Sequence, residues 1–391
     1  MTDRPRRIIV AGAGLAGALL ATQLGRKGHE VILLERRGDP RTPEGAARGR
    51  SINLAISVRG LHALKTIGLD ESVLAEGVRM PGRMIHGLGG GNDRAPIFQP
   101  YSADPTRAIN SVSRGGLNAL LLNAAEAEPT VTIHFGRRLT EIDWTTTPER
   151  PTAMVIDDAT GQTERFEGDL VIASDGAYSA ARTTMQKTEG FDYSQTFLSH
   201  GYKELTIPPK ADGSWAMEPE ALHIWPRGGY MMIALPNRDR SFTCTLFLAH
   251  DRARGGDDSF EAIPDEESGM AFFVRRFPDA LPLMPDFRRE FRDNPVGSMV
   301  TIRCRPWHRG RIALLGDAAH AIVPFYGQGA NCAFEDCVAM VESLERHPTD
   351  LDAAIADYEC ARCDNADAIA ELAQINFIEM RDHTASPWFR A

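Results

Sequence analysis

Cysteine is scarce: six in 391 residues, at Cys244, Cys304, Cys332, Cys337, Cys360 and Cys363. That excludes a disulfide scaffold and suits a reducing compartment. Cys360-Ala-Arg-Cys363 has the spacing of a redox motif, but it lies in a polar helical pattern rather than after a strand, and it reads as ordinary helix surface. The eleven histidines show no metal spacing and no HExxH occurs, so no metal site is expected. An excess of basic residues is also missing. The formal net charge is −10, which argues against a nucleic-acid partner, because phosphate binding needs a basic surface. No low-complexity tract or internal repeat is present. The longest uncharged run, Ile8 to Leu24, is broken by Gly12, Gly14 and Gly17 and is shorter than the roughly 20 residues a spanning helix needs. No membrane segment is expected in this chain, and the expected location is cytoplasmic. What remains is a globular composition, 43% hydrophobic and 25% charged, at a length that suits one large or two intertwined domains.

The chemistry begins in the first turn of chain, "RRIIVAGAGLAGALLATQLGRKGHEVILLERR". Ile8-Ile9-Val10 suits a buried strand, Leu15 to Gly25 a helix, and Val31 to Leu34 a second buried strand ending at Glu35. Between the first strand and the helix stands Gly12-x-Gly14-x-x-Gly17. Gly12 allows a tight turn, Gly14 lets the backbone approach a pyrophosphate, and Gly17 permits close helix–strand packing. The helix N-terminus would face the phosphates. Glu35, 21 residues after Gly14, is placed to accept hydrogen bonds from ribose hydroxyls. An acid there favours a free 2′-hydroxyl, hence FAD or NAD over NADP.

Two later stretches favour FAD. "GDLVIASDGAYSAAR" (168–182) reads as a strand, then Asp175-Gly176, then a helix whose first turns hold Ser179 and Arg182. "LLGDAAHAIVPFYGQGANCAFEDC" (314–337) follows a strand with Gly316-Asp317, then a Pro- and Gly-rich loop, then a helix beginning near Ala330-Asn331. A cofactor with two long arms needs such a distant second acid, and Asp317 would accept a hydrogen bond from a ribityl hydroxyl. The loop from Pro324 to Gly329 would aim backbone N–H groups at a flavin's pyrimidine edge, where the helix dipole favours negative charge on reduction. A plain strand–turn–helix corner is the other reading of those residues.

Together with "GRSINLAISVRGLHALKTIGL" (49–69), "RMIHGL" (83–88), "SVSRGGLNALLL" (111–122), "HGYKELTIPP" (200–209), "LHIWPRGGYMMIALPNRDRSFTCTLF" (222–247) and "NFIEMRD" (376–382), these segments resemble the kynurenine 3-monooxygenase family of single-component flavoprotein aromatic hydroxylases. The flavin motifs are shared by the wider superfamily; the 222–247 segment is the specific one. The resemblance implies FAD contacts at Leu15, Glu35, Arg36, Ala55, Arg114, Leu139, Asp175, Asp317, Ala330 and Asn331, beside Gly12, Gly14, Gly17 and Gly329. It implies Arg83 for a substrate carboxylate, whose fork a bidentate arginine matches. Tyr101 and Asn376 fall near further substrate positions, with Met380 one helical turn on. Pro324, Phe325 and Gln328 would wall the space above the flavin. His320 reads as structural rather than as a base. Tyr326 stands where the family usually has phenylalanine, and could bond a substrate or point to water. The chain ends at Ala391, 15 residues after Asn376. The family normally continues with further C-terminal helices carrying a second substrate-contacting tyrosine and, in eukaryotic members, a membrane anchor.

The implied activity is hydroxylation of L-kynurenine to 3-hydroxykynurenine, with tightly bound FAD, NADPH as a transient reductant, O₂ as co-substrate and a flavin C4a-hydroperoxide as oxidant. No catalytic acid or base is required, because the aniline nitrogen already activates the ring. Other readings are a hydroxylase of a modified kynurenine or another anthraniloyl compound, or a flavin-binding protein that oxidises NADPH without hydroxylating. A flavin halogenase would need a Trp-x-Trp segment, which does not occur. The expected fold is α/β: a Rossmann-type, glutathione-reductase-like FAD unit from 1–70, 104–182 and 298–345. A β-sheet substrate unit would come from 71–103 and 183–297, with a helical segment from 346–391. Residues 252–269 read as an exposed loop leading into a helix near Ala271–Phe277. On the C-terminal helix Ile369, Leu372, Ile375/Asn376 and Ile378/Met380 are expected near one face.

Overall fold

The computed structural model describes residues 5–46, 53–87 and 95–383. Of the stretches singled out above, residues 49–52 and Leu88 lie outside these ranges. The apolar run Arg7–Ala11 is the inner strand of a six-stranded sheet among the described residues. The order across it is His308–Arg309, Ile312–Leu314, Leu170–Ala173, Arg7–Ala11, Glu30–Glu35, Val131–Phe135. All neighbours are parallel except the first pair. Continuous Val/Ile/Leu runs suit strands buried on both faces. Helix Leu15–Arg26 packs between Arg114–Ala127 and Gly329–Arg346, and Gly329–Arg346 packs in turn on Leu351–Ile378.

Because five of these strands are parallel, their carboxyl ends share one edge. Gly12, Arg36, Ser174-Asp175 and Leu315-Gly316-Asp317 therefore emerge side by side from segments far apart in sequence. That edge is where open parallel sheets bind ligands.

A second sheet of seven strands runs Gly297–Arg305, Asp192–Ile207, Phe242–Ala249, Met231–Pro236, Leu222–Pro226, Gly82–Ile85, Ile97–Pro100. It is antiparallel except where Gly82–Ile85 lies parallel to Leu222–Pro226. Its outer core is aromatic, with Phe272, Phe273, Phe277, Phe287 and Phe291 packed on Trp225 and Phe242. The strand Gly297–Arg305 pairs with this sheet through Asp192–Ile207, so by pairing the second unit extends past the expected boundary at 298.

Two local expectations need correction. The 252–269 loop holds a helical turn, Arg252–Gly255, and a 3₁₀ turn, Phe260–Ala262, while the following helix already starts at Glu266. Asp251, Ser259 and Asp265, which look like turn formers, each cap one of these elements by accepting a backbone N–H. On Leu351–Ile378, the buried stripe is Arg362, Cys363, Ala366, Ile369, Ala370, Ala373 and Phe377, continuing to Met380, whereas Leu372, Ile375 and Ile378 are exposed. The helix carries two apolar stripes. The small-residue stripe faces inward because Phe377 stacks on Phe325, ring centroids 4.0 Å apart. The CxxC pair also splits: Cys360 is exposed and Cys363 buried.

Candidate active site

The strand edge opens on a cavity of about 620 Å³. Its walls include Gly12, Gly14, Leu15, Glu35, Arg36, Ala55, Arg114, Leu139, Asp175, Asp317, Pro324, Gly329 and Ala330. Of the expected cofactor residues, Gly17 and Asn331 alone stand back from it. The glycines divide as their roles require. A Cβ on Gly17 would sit 1.8 Å from the Gly12 carbonyl oxygen, whereas a Cβ on Gly14 would meet nothing within 4 Å. Gly14 thus faces open cavity, and Gly17 seals helix to strand. Gly12 has φ +101° and lies against the Ser174 carbonyl. Ser174 Oγ donates to the carbonyls of Ala11 and Gly12, strapping the turn to the neighbouring strand.

Helix Leu15–Arg26 has no side-chain cap and no acid in its first turn, and neither has Gly329–Arg346. Both helices leave their first N–H groups free and open them onto the same cavity. Such ends favour anionic groups: a pyrophosphate at Gly14 and the pyrimidine edge of a flavin at Gly329-Ala330. Each oxygen of Glu35 accepts one backbone N–H, Oε2 from Ala13 and Oε1 from Arg37, both at 2.9 Å. This holds the carboxylate still while leaving lone pairs for ribose hydroxyls. Asp175 Oδ2 accepts from Ala180 N at 2.7 Å, and Oδ1 is buried with no partner. Burial raises the Asp175 pKa, opposed by hydrogen bonds from Ser179 and the following backbone. An unpartnered buried carboxylate oxygen on the wall is the kind of atom a bound FAD hydroxyl would satisfy. The residues present therefore fit FAD.

Asn331 plays a different part from the one expected. It is fully buried, and its side chain is committed to protein: Oδ1 accepts from Ser57 N at 3.0 Å, and Nδ2 donates to the carbonyls of Ala55 at 2.9 Å and Gly327 at 2.8 Å. It ties two cavity loops together, with Gly60 packed so close that a Cβ there would lie 2.4 Å from Asn331 Oδ1. Asn331→Ala strands three buried groups at about 1 kcal/mol or more each. Denaturant unfolding should show a loss of about 3 kcal/mol, with FAD affinity falling in step.

Of the expected substrate-side residues Pro324 lines this cavity, and the others stand off its wall. Arg83 lies on Gly82–Ile85, its Nε donating to Gln99 Oε1 at 2.8 Å and its Nη2 3.8 Å from Glu379. Tyr101 follows the edge strand, bonded by its N–H to the Pro81 carbonyl, with a 41% exposed side chain. Asn376 Nδ2 donates to the Phe325 carbonyl at 2.5 Å and lies 3.1 Å from Met380 Sδ. The Phe325 and Met380 side chains, expected on the substrate side, turn inward. Both are buried in an apolar junction with Phe247, Val323 and Phe377. Phe325 serves through its backbone, joining the 324–327 turn to the 351–378 helix. Gln328 is the N-cap residue of Gly329–Arg346, and its buried Oε1 has no partner.

The sequence matches the family described as FAD binding domain over residues 6–372. It is 48% identical over 387 residues to kynurenine 3-monooxygenase of Myxococcus xanthus, covering 99% of this chain and 80% of that protein. It is 47% identical over 383 residues to kynurenine 3-monooxygenase of Salinispora tropica, covering 98% and 82%. The chain belongs to the kynurenine 3-monooxygenase family. Among solved structures, 2-methyl-3-hydroxypyridine-5-carboxylic acid oxygenase superposes with a TM-score of 0.77 at 23% identity, covering 98% of this chain and 95% of that one. PqsL of Pseudomonas aeruginosa, crystallised with 2-aminobenzoylacetate, superposes with a TM-score of 0.77 at 19% identity, covering 98% of both chains. At those identities the likeness speaks to the fold alone, a flavin monooxygenase fold.

Sequence reasoning missed the support behind the family's Gly-Asp turn. Asp336, fully buried, takes Gly316 N at 3.2 Å and His320 Nε2 at 2.5 Å on Oδ2, and Arg362 Nε at 2.7 Å on Oδ1. The available signal was an acid on the buried stripe Cys332, Asp336, Met340 of an amphipathic helix. His320, Cys332 and Asp336 bring one ligand atom each within 4.8 Å of one another. However, the Arg362 guanidinium, 3.4 Å from Cys332 Sγ, already supplies the positive charge there. His320 is buried and held by Asp336.

Burial opposes the charge on His320, but the Asp336 charge and hydrogen bond outweigh it, and the pKa moves up. Burial likewise pushes Asp336 up, but His320 and Arg362 outweigh it, and the net movement is down. A raised histidine contributes stability that is complete below its unfolded value near 6.5 and lost as pH climbs through the folded one. A depressed carboxylate contributes stability complete above about 3.9 and lost as pH falls through its folded value. Thermal unfolding should therefore show the wild type losing its advantage over His320→Gln as pH rises above about 6.5.

Proposed function

We propose that this chain is an FAD-dependent, NADPH-consuming monooxygenase that hydroxylates L-kynurenine to 3-hydroxykynurenine. The carrying observation is one cavity with two uncapped helix N-termini and three acids, whose 324–327 turn is bonded to the helix end that brings Glu379 beside Arg83. The family membership supports the choice of ring. When bound, FAD supplies the chemistry, accepting electrons from NADPH and activating O₂ for transfer to the ring carbon ortho to the aniline nitrogen.

The chain's own residues bind, orient and exclude water. Gly14 and the Leu15–Arg26 N-terminus would hold the pyrophosphate, Glu35 the adenosine ribose, and Asp317 a ribityl hydroxyl. Arg83, Tyr101 and Asn376 form the proposed substrate side. In the structure Glu379 sits by the Arg83 guanidinium at 3.8 Å, a distance that leaves the fork free to turn to a substrate carboxylate. The buried junction of Phe325, Phe377 and Met380 backs the 324–327 turn with apolar surface, which excludes water from that side. No residue need act as a strong base, since the amino group already makes the ring nucleophilic.

We place 1–70, 104–182 and 298–345 in the FAD unit, with the strand Gly297–Arg305 reaching across to pair with the second sheet, 71–103 and 183–297 in the substrate unit, and 346–391 in the C-terminal segment. Among the described residues no helix is long and apolar enough to cross a membrane. All six cysteines are free, which supports a cytoplasmic site of action. The test is NADPH consumption by the FAD-loaded protein with and without L-kynurenine, with peroxide counted. Consumption stimulated by kynurenine with little peroxide is expected. Consumption indifferent to kynurenine, all of it ending as peroxide, would favour the uncoupled oxidase instead. Strong stimulation only by a substituted anthraniloyl compound would shift the substrate.

A further inference from the structure

Three residues beyond Arg83, the strand Gly82–Ile85 ends in a chain of ionisable groups outside the flavin site. His86 Nδ1 lies 2.8 Å from Asp279 Oδ2, and His86 Nε2 lies 2.9 Å from His223 Nδ1. His223 Nε2 lies 2.8 Å from the Glu218 carbonyl oxygen. Trp225 Nε1 donates to the same Asp279 Oδ2 at 2.8 Å, and its ring stacks on His86 at 4.0 Å. Both histidines are buried, at 7% and 2% exposure.

The partners dictate where the protons are. A carbonyl oxygen only accepts, so His223 Nε2 carries a hydrogen. Burial pushes the His223 pKa down to about 4, so at neutral pH its Nδ1 is bare and must accept. His86 Nε2 therefore donates to it. His86 Nδ1 then faces a carboxylate oxygen that already takes one N–H from Trp225. Burial raises the Asp279 pKa, but bonds from His86 and Trp225 outweigh it and the net movement is down. The Arg227 guanidinium is the opposing charge nearby, donating through Nη1 to the His86 carbonyl at 3.1 Å. The Asp279 carboxylate acts on it too.

We propose that Asp279, His86 and His223 form a hydrogen-bonded clamp that positions the strand carrying Arg83. The clamp adds to two backbone bonds at the same residue, His86 N to the Ile224 carbonyl and Arg227 to the His86 carbonyl. Together these fix the register in which Arg83 stands opposite Leu222. Asp279, His86 and His223 are positioning residues, and their effect on substrate rests on the reading of Arg83 given above.

Asp279→Asn is the sharpest probe. One oxygen of Asp279 faces both Trp225 Nε1 and His86 Nδ1, and a neutral amide there weakens both contacts. Its side chain is 40% exposed, so the variant should fold; His223→Gln serves as a second. Nitrogen-15 NMR of the histidine rings in FAD-loaded protein at neutral pH, with His86 assigned by His86→Gln, reads the proton positions directly. The expected spectrum has His86 Nε2 protonated and His223 with one bare nitrogen, and Asp279→Asn shifts the His86 Nδ1 resonance. A His86 Nδ1 resonance that Asp279→Asn leaves unmoved overturns the clamp whether or not kynurenine is the substrate. In turnover, Asp279→Asn should raise the kynurenine KM about tenfold with kcat within about twofold. The decarboxylated analogue should be unaffected. An unchanged kynurenine KM, or an equal loss with the analogue, overturns the positioning role.

Discussion

Replacing Gly14 by valine should yield a folded, colourless protein. The new side chain meets no protein atom at its root, since a Cβ there has nothing within 4 Å. Secondary structure and denaturant midpoint should stay near those of the FAD-free wild type. The branched side chain would instead stand in the cavity where the pyrophosphate has to approach the helix N-terminus, and bound FAD should fall below detection. Gly17→Ala makes the opposite prediction with a smaller side chain. Its Cβ would sit 1.8 Å from the Gly12 carbonyl oxygen and 2.5 Å from Ser174 Oγ, so backbone has to move. Overpacking of that kind costs about 3 kcal/mol or more at a backbone contact. This variant should lose stability even without flavin. Two glycines three residues apart therefore separate binding from folding, and flavin absorbance together with a denaturant titration reads both. Loss of folding in Gly14→Val, or a stable yellow Gly17→Ala, would refute the assignment.

Arg83→Ala should be the most damaging change on the substrate side. A bidentate guanidinium–carboxylate contact contributes two charge-assisted hydrogen bonds, together about 3–4 kcal/mol. The expected loss in kcat/KM for kynurenine is about 100- to 1000-fold. FAD content and the slow NADPH oxidation seen without substrate should not change, because Arg83 does not border the flavin cavity. Arg83→Lys should recover little, since an ammonium cannot offer the same fork. Steady-state kinetics with flavin-normalised enzyme decide it, and equal losses with and without substrate would point to a structural role.

The flavin half was more legible in the sequence than the substrate half, for a physical reason. Gly12, Gly14, Gly17 and Glu35 sit within one βαβ unit, where spacing along the chain is spacing in space. Asp175 and Asp317 were readable because each follows a short apolar strand, and parallel pairing brings strand ends to one edge. The substrate side is built from Gly82–Ile85, Ile97–Pro100 and the end of a helix almost 300 residues later. No local periodicity encodes that meeting, and only the resemblance pointed to Arg83 and Asn376. The inward face of Leu351–Ile378 was misread because leucine and isoleucine outweigh alanine on any hydrophobicity count. Close packing chose the small residues Ala366, Ala370 and Ala373. Asn331 shows the same limit. Its position is right for a cofactor residue, yet its side chain bonds Ser57, Ala55 and Gly327, contacts visible only once the loops are folded together.

The most direct test of the function is oxygen transfer itself. FAD-loaded protein should be given NADPH, L-kynurenine and ¹⁸O₂, and the product weighed by mass spectrometry against NADPH consumed. The predicted result is 3-hydroxykynurenine carrying one heavy oxygen, close to one per NADPH. Oxidised NADPH with heavy peroxide and unchanged kynurenine would contradict the assignment of this chain as a kynurenine hydroxylase.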